Sequence, residues 1–182
     1  MTDSANLHAD LAAGVRAAHG RIRNDIVRTP VEFSEALSRA TGARVFVKWE
    51  CDQITGSFKL RGALNKLRCL TPEERERGVV SASTGNHGLA ISHAARLEGI
   101  DLRLFLPTTA SAVKRKKIAA LGIRPELFGQ SCEQTEARAR DEAARTGRVF
   151  VSPYNDADII HGAGTVGLEI AEDVPEASSL AP

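Results

Sequence analysis

Apolar residues recur along this chain in two alternating rhythms. Leu7, Leu11, Val15, Ala18 and Ile22 fall at helical spacing and predict a helix over 7–23. Pro30 interrupts the pattern, and Ser34 is placed to cap a short helix that runs through Ala40 and stops at Gly42. Residues 44–49, Arg-Val-Phe-Val-Lys-Trp, read as a strand. Residues 58–70 read as a helix whose buried stripe is Leu60, Ala63, Leu64 and Leu67. Beyond it, short strands at 78–82, 101–106, 124–128 and 148–152 alternate with helices at 87–98, 111–121 and 132–145. A last helix covers 159–173. The β-α-β-α-β-α-β order over 78–152 predicts a parallel sheet covered by helices. Right-handed crossovers then put each strand-to-helix loop on the carboxyl edge, where open α/β sheets bind ligands.

Composition narrows the function classes. Lys+Arg is 24 and Asp+Glu is 23 in 182 residues, a balance that gives nucleic acid no basic surface to hold. Aromatic residues are 4% of the chain, so the core is aliphatic and no stacking platform for single strands is available. No apolar stretch approaches the roughly 18 residues that signal a membrane span, so no membrane partner is expected. The N-terminus is polar and unlike a signal peptide. Cys51, Cys69 and Cys132 are an odd set without a CxxC, the usage of reduced thiols in a cytoplasmic protein.

Two segments carry candidate chemistry. In Thr55-Gly56-Ser57-Phe58-Lys59, Gly56 permits a tight turn and Ser57 is placed as an N-cap, so Lys59 falls in the first helical turn. A lysine there opposes the positive end of the helix dipole, and partial burial lowers its pKa. A neutral amine of that kind can form a Schiff base with a carbonyl. The plain alternative is a surface lysine on an amphipathic helix, and Arg61 and Lys66 read as solvated or structural. In Ser83-Thr84-Gly85-Asn86-His87-Gly88, a strand ends and a helix begins. Free N–H groups at such a point receive a carboxylate or phosphate. The plain alternative is a capping turn with Asn86 as N-cap. His87, His93 and Glu98 make no HExxH array, so no metal is assigned. Residues 114–117, Lys-Arg-Lys-Lys, read as a solvated helix face.

Together these segments resemble one family. Gln53-Ile54-Thr55-Gly56-Ser57-Phe58-Lys59-Leu60-Arg61-Gly62-Ala63 resembles the cofactor-lysine motif of the fold-type II pyridoxal-phosphate (PLP) enzymes, in the branch of threonine/serine dehydratases and serine racemases. The 83–88 segment resembles that branch's substrate-carboxylate loop. Ser152-Pro153-Tyr154-Asn155-Asp156 and Gly162-Ala163-Gly164-Thr165-Val166-Gly167-Leu168-Glu169-Ile170 resemble two later landmarks in the same order. The likeness runs over about 28–174.

The resemblance implies a tryptophan-synthase-beta-like α/β fold, three-layered α/β/α with parallel sheets. It places residues 1–74 in the large domain, 75–152 in a small α/β domain, and 153–182 back in a large domain that is incomplete. It implies that Lys59 holds PLP covalently and then acts as base, that Phe58 packs near the pyridine ring, and that Asn86 bonds the cofactor's phenolic oxygen. Ser83, Thr84, Gly85, Asn86 and His87 would surround the substrate carboxylate. The implied activity is an ammonia-lyase converting threonine or serine to a 2-oxo acid and ammonia, in a homo-oligomer. An amino-acid racemase is the alternative; Thr84 stands where racemases of the branch use serine, which favours the dehydratase.

The resemblance also implies a glycine-rich phosphate loop and divalent-cation ligands further along, and the sequence contains no run of consecutive glycines. The expectation is therefore a C-terminally truncated member, poorly active by itself.

Overall fold

The computed structural model describes residues 2–83 and 85–181. Four strands form one parallel sheet: β3 (Val79–Ala82), β4 (Leu102–Leu106), β5 (Glu126–Leu127) and β6 (Val149–Val151). Their order is β5-β4-β3-β6. The chain thus steps outward from β3 through β4 to β5, then returns to the other side of β3. The reversal between β3 and β6 is a topological switch point, and its carboxyl-edge crevice is where such sheets bind ligands.

Burial explains the layers. All four residues of β3 are buried, as a strand covered on both faces requires. Val80 and Ala82 pack with Phe105, Ala139 and Ala143, the last two from α7 (Cys132–Thr146). Val79 points the other way with Leu102, Leu104 and Val151, into a core shared with α5 (Asn86–Glu98) and α3 (Lys59–Arg68). Ile118 of α6 (Ala112–Ala120) closes that core. The α/β/α sandwich with a parallel sheet is as expected.

Behind α3 lie α8 (Ala157–Asp173) and α1 (Thr2–Ile22). Two glycines set that approach. A Cβ on Gly162 would stand 2.5 Å from the Arg61 carbonyl oxygen, and one on Gly62 would stand 2.8 Å from that of Ile159. Only residues without side chains let α3 and α8 come this close.

Several local expectations need correction. β1 (Val31–Phe33) and β2 (Phe46–Lys48) form an antiparallel pair, with Val31 opposite Lys48 and Phe33 opposite Phe46. Three residues after Pro30 gave too short a pattern to read. A further helix, α4 (Pro72–Arg77), begins with a capping box between Thr71 and Glu74 and carries Pro at its first turn. Its sequence has no apolar period, so a periodicity reading passes over it. By contrast α2 (Glu35–Thr41) has the predicted ends: Ser34 accepts from the Leu37 N–H, and Gly42 closes it at φ +72°.

Candidate active site

Three segments meet at the β3–β6 crevice. Ser83 follows the carboxyl end of β3 and α5 begins at Asn86, the 152–154 loop leaves the carboxyl end of β6, and the first turn of α3 brings in Lys59. Lys59 Nζ donates a hydrogen bond to the Pro153 carbonyl at 3.1 Å. A cavity of about 230 Å3 opens here, with Lys59, Ser83, Gly85, Asn86 and His87 on one part of its wall. Ala82, Cys132, Thr135, Glu136, Pro153 and Tyr154 supply the rest. A larger, more open depression of about 500 Å3 lies behind residues 51–56, and Lys59 is not part of it.

Gly56 takes φ +74°, and the turn it makes delivers α3 to this point. The cap differs from expectation. Phe58, with helical backbone angles, occupies the position assigned to Ser57 and makes no side-chain cap bond. The Ser57 hydroxyl is instead buried without a partner among the described residues.

Lys59 is half-buried, and that desolvation lowers its pKa from the ordinary lysine value. Its neighbours are a carbonyl and the Phe58 ring, 5.0 Å from Nζ to the centroid. Among the described residues no carboxylate lies within ion-pair distance of it. Nothing there opposes that desolvation, so the proton is held less firmly than on an ordinary lysine.

Ser83 organises the loop. Its Oγ accepts the Gly85 N–H at 3.0 Å and the Gly88 N–H at 2.9 Å. Gly85, not Asn86, is the cap of α5, and Asn86 is its first residue. Ser83 performs the capping because the glycine at the cap has no side chain to do so. One of the expected anion donors, the Gly85 N–H, is therefore engaged. The N–H groups of Asn86 and His87 remain as the first-turn donors of α5, while the Ser83 hydroxyl hydrogen turns to the Gly85 carbonyl at 3.5 Å. Thr84 lies outside the described residues. A Cβ built on Gly85 would find Lys114 Nζ at 3.8 Å and nothing nearer, so the backbone is open to a ligand here and a cation stands beside it.

His87 is buried, with Nε2 3.1 Å from Ser81 Oγ. The single Ser81 hydroxyl hydrogen goes to the Val151 carbonyl at 2.8 Å, which leaves Nε2 as the donor in the His87–Ser81 pair. Nδ1 is then unprotonated, and it is buried without a partner among the described residues. Burial, with a smaller push from Lys59, lowers the His87 pKa to about 3. The ring is neutral at physiological pH.

The sequence reading missed Cys132, Thr135, Glu136 and Tyr154. Tyr154 sits in a quoted motif, and its position after β6 was the available signal. The α7 residues carried no local signal, because only the sheet order brings the start of α7 to this crevice.

Comparison with known proteins gives the family and the fold. A family described as pyridoxal-phosphate dependent enzyme matches residues 22–180. The L-threonine ammonia-lyase of Thermotoga maritima is 41% identical over 162 residues, covering 89% of this chain and 40% of that protein. The serine racemase of Bos taurus is 43% identical over 171 residues, covering 92% of this chain and 51% of that protein. Among solved structures, the processed threonine deaminase isoform 2 of Solanum lycopersicum superposes with a TM-score of 0.86 at 30% identity, over 94% of this chain and 49% of its own. The chain spans about half the length of the curated relatives it matches. With a lysine amine kept clear of carboxylates, an open helix N-terminus beside it, and a match over nearly the whole sequence, the chain belongs to the pyridoxal-phosphate dependent enzymes.

Proposed function

We propose that this chain carries the lysine-bearing half of a PLP-dependent ammonia-lyase that converts threonine or serine to a 2-oxo acid and ammonia. The observation that carries the reading is Lys59: a desolvated amine, bonded to a backbone carbonyl, facing a cavity with an anion-receiving helix end. Those residues fit the cofactor. The amine suits its aldehyde, Gly85 leaves the backbone open, and the donor set suits an anionic ligand. On this reading Asn86 bonds the phenolic oxygen, Phe58 packs near the ring, and residues 75–152 are the small domain of a cytoplasmic homo-oligomer.

When bound, PLP supplies an aldehyde for the amine and a ring that draws electrons from the substrate Cα. The chain's own residues do the rest. The Asn86 and His87 N–H groups, presented by the turn that Ser83 shapes, hold the substrate carboxylate and so fix the direction of the Cα–H bond. The Lys59 amine takes the Cα proton. The Pro153 carbonyl holds Nζ between events. The neutral His87 ring neither competes for that proton nor attracts the carboxylate away. Loss of the β-hydroxyl with the Cα proton removes water, and hydrolysis then releases ammonia and the 2-oxo acid.

The test is 2-oxobutyrate or pyruvate release, with borohydride trapping of PLP on Lys59. Lys59→Ala abolishes both the label and the activity on this reading. A label elsewhere in the chain overturns the assignment. Racemisation without ammonia moves the answer to an amino-acid racemase, which the 43% likeness to the bovine serine racemase favours as second reading.

A further inference from the structure

We infer that Tyr154 and Glu136 are positioning residues. Their hydrogen bond, between the 152–154 loop and α7, sets the direction of the Pro153 carbonyl. It thereby sets the place of the Lys59 amine whenever that amine is not bonded to the cofactor. The inference deepens the ammonia-lyase reading, and its meaning for the reaction rests on that reading.

Rotation of one peptide unit decides where this carbonyl points. Proline fixes its own φ but leaves the bond from Cα to the carbonyl carbon free to turn. The Pro153 C=O and the Tyr154 N–H share that planar unit. Along the backbone the unit is held weakly. The Tyr154 N–H reaches Ser152 Oγ at 3.4 Å, beyond the usual range, while the Asn155 N–H meets the same oxygen at 3.0 Å. The firmer hold is the Tyr154 side chain, whose hydroxyl donates to Glu136 Oε2 at 2.6 Å. That bond keeps the Glu136 carboxyl below its usual range and pushes the tyrosine hydroxyl up. At neutral pH it runs from a hydroxyl to an anion, which makes it roughly twice as strong as a neutral one.

Glu136 is itself anchored. Its Oε1 accepts from Arg140 at 2.7 and 3.1 Å, and the Arg140 guanidinium lies 4.2 Å from the ring centroid of Phe150. Phe150 belongs to β6, the strand that the 152–154 loop leaves. The connection closes on itself: β6 carries the ring, the ring seats Arg140, Arg140 holds Glu136, and Glu136 holds the loop. Of these groups the Pro153 carbonyl meets Lys59, at 3.1 Å. The far end of the loop is held separately, where Asp156 caps α8 and pairs with Lys66 at 3.0 Å. A carbonyl beside Nζ favours the ammonium form and keeps it at the cavity. Turned away, it leaves more of the amine neutral and free to move.

Trace acetylation of the full chain with acetic anhydride tests this without cofactor, the rate at each lysine being read by mass spectrometry. Tyr154→Phe removes the hydroxyl and keeps the ring, and Tyr154 is more than half exposed, so the fold is kept. The Lys59 rate then rises about 3–10-fold, the span that one hydrogen bond covers. Lys66, at the far end of the same loop, keeps its rate. Glu136→Ala gives the same rise, whereas Glu136→Gln, which still accepts from the tyrosine, stays within about twofold of the parent. The two changes Tyr154→Phe and Glu136→Ala together go no further than either alone, because both remove one bond. A Lys59 rate that Tyr154→Phe leaves unchanged or lowers, a rise that Lys66 shares, or effects that multiply in the double variant overturns the inference alone. Failure of the parent chain to take a borohydride label from PLP at Lys59 overturns the lyase reading, and with it the meaning of this bond for the reaction.

Discussion

Lys59 and Arg61 stand two residues apart on one helix and have opposite surroundings. Arg61 is fully buried, yet it is saturated. Its guanidinium reaches Glu169 at 2.6 and 2.9 Å and Glu50 at 2.7 and 2.9 Å, while Lys48 Nζ reaches Glu169 at 2.6 Å. Burial alone works to lower its pKa, but the bonds to Glu169 and Glu50 outweigh that and raise it. Lys59 is less buried but has only a carbonyl and a ring, so desolvation goes unopposed and its pKa falls. Burial by itself therefore does not mark a reactive cation. Withholding the counter-charge does. The same helix ties α3 to α8 with one basic residue and presents a free amine with the other.

Breaking the saturated side has the largest expected effect. Arg61→Met leaves Glu50 without its cation and Glu169 with Lys48 alone, and costs about 3–5 kcal/mol, read from urea unfolding. Gly162→Ala attacks the same contact sterically, because its Cβ meets the Arg61 carbonyl and the Gly62 Cα. It falls in the upper part of the ~1–3 kcal/mol range for overpacking, and the same unfolding curve reads it. His87 supplies a pH test between the two regions. Its folded pKa lies below that of the unfolded chain, so the unfolded state binds the proton first as pH falls from about 6.5 toward 3. Stability is lost over that window, by about 2 kcal/mol between pH 7 and 5 from this group. His93, also lowered by burial, adds to the same slope. His87→Leu removes its own share, so the difference between variant and parent at the two pH values is the measurement. The smallest effect on stability belongs to the unsaturated side. Lys59→Met changes the unfolding free energy by less than about 1 kcal/mol, in the stabilising direction, while removing the borohydride label. A large stability loss there would mean that Lys59 is structural, and the contrast with Arg61 would fail.

Much of this was legible along the chain. The Ser34 cap, the Gly42 stop and the Gly56 turn are local events, decided by backbone preferences of single residues. The β-α alternation showed the parallel sheet because each element's apolar period reports which of its faces is covered. Ser57 and Asn86 show where local reading fails. Both are good cap residues by type, but Phe58 and Gly85 hold the cap positions. Ser83, from three residues before α5, satisfies the donors instead.

By itself the sequence determined most of the elements, the kind of sheet and the two candidate segments, because those depend on neighbours within a few residues. Only the tertiary structure decided which charges are quenched. The carboxylates that saturate Arg61 come from positions 50 and 169, and the carbonyl that receives Lys59 comes from position 153. Solvation and counter-charge act through space over a few ångströms, and the return of β6 beside β3 sets which residues lie within that distance.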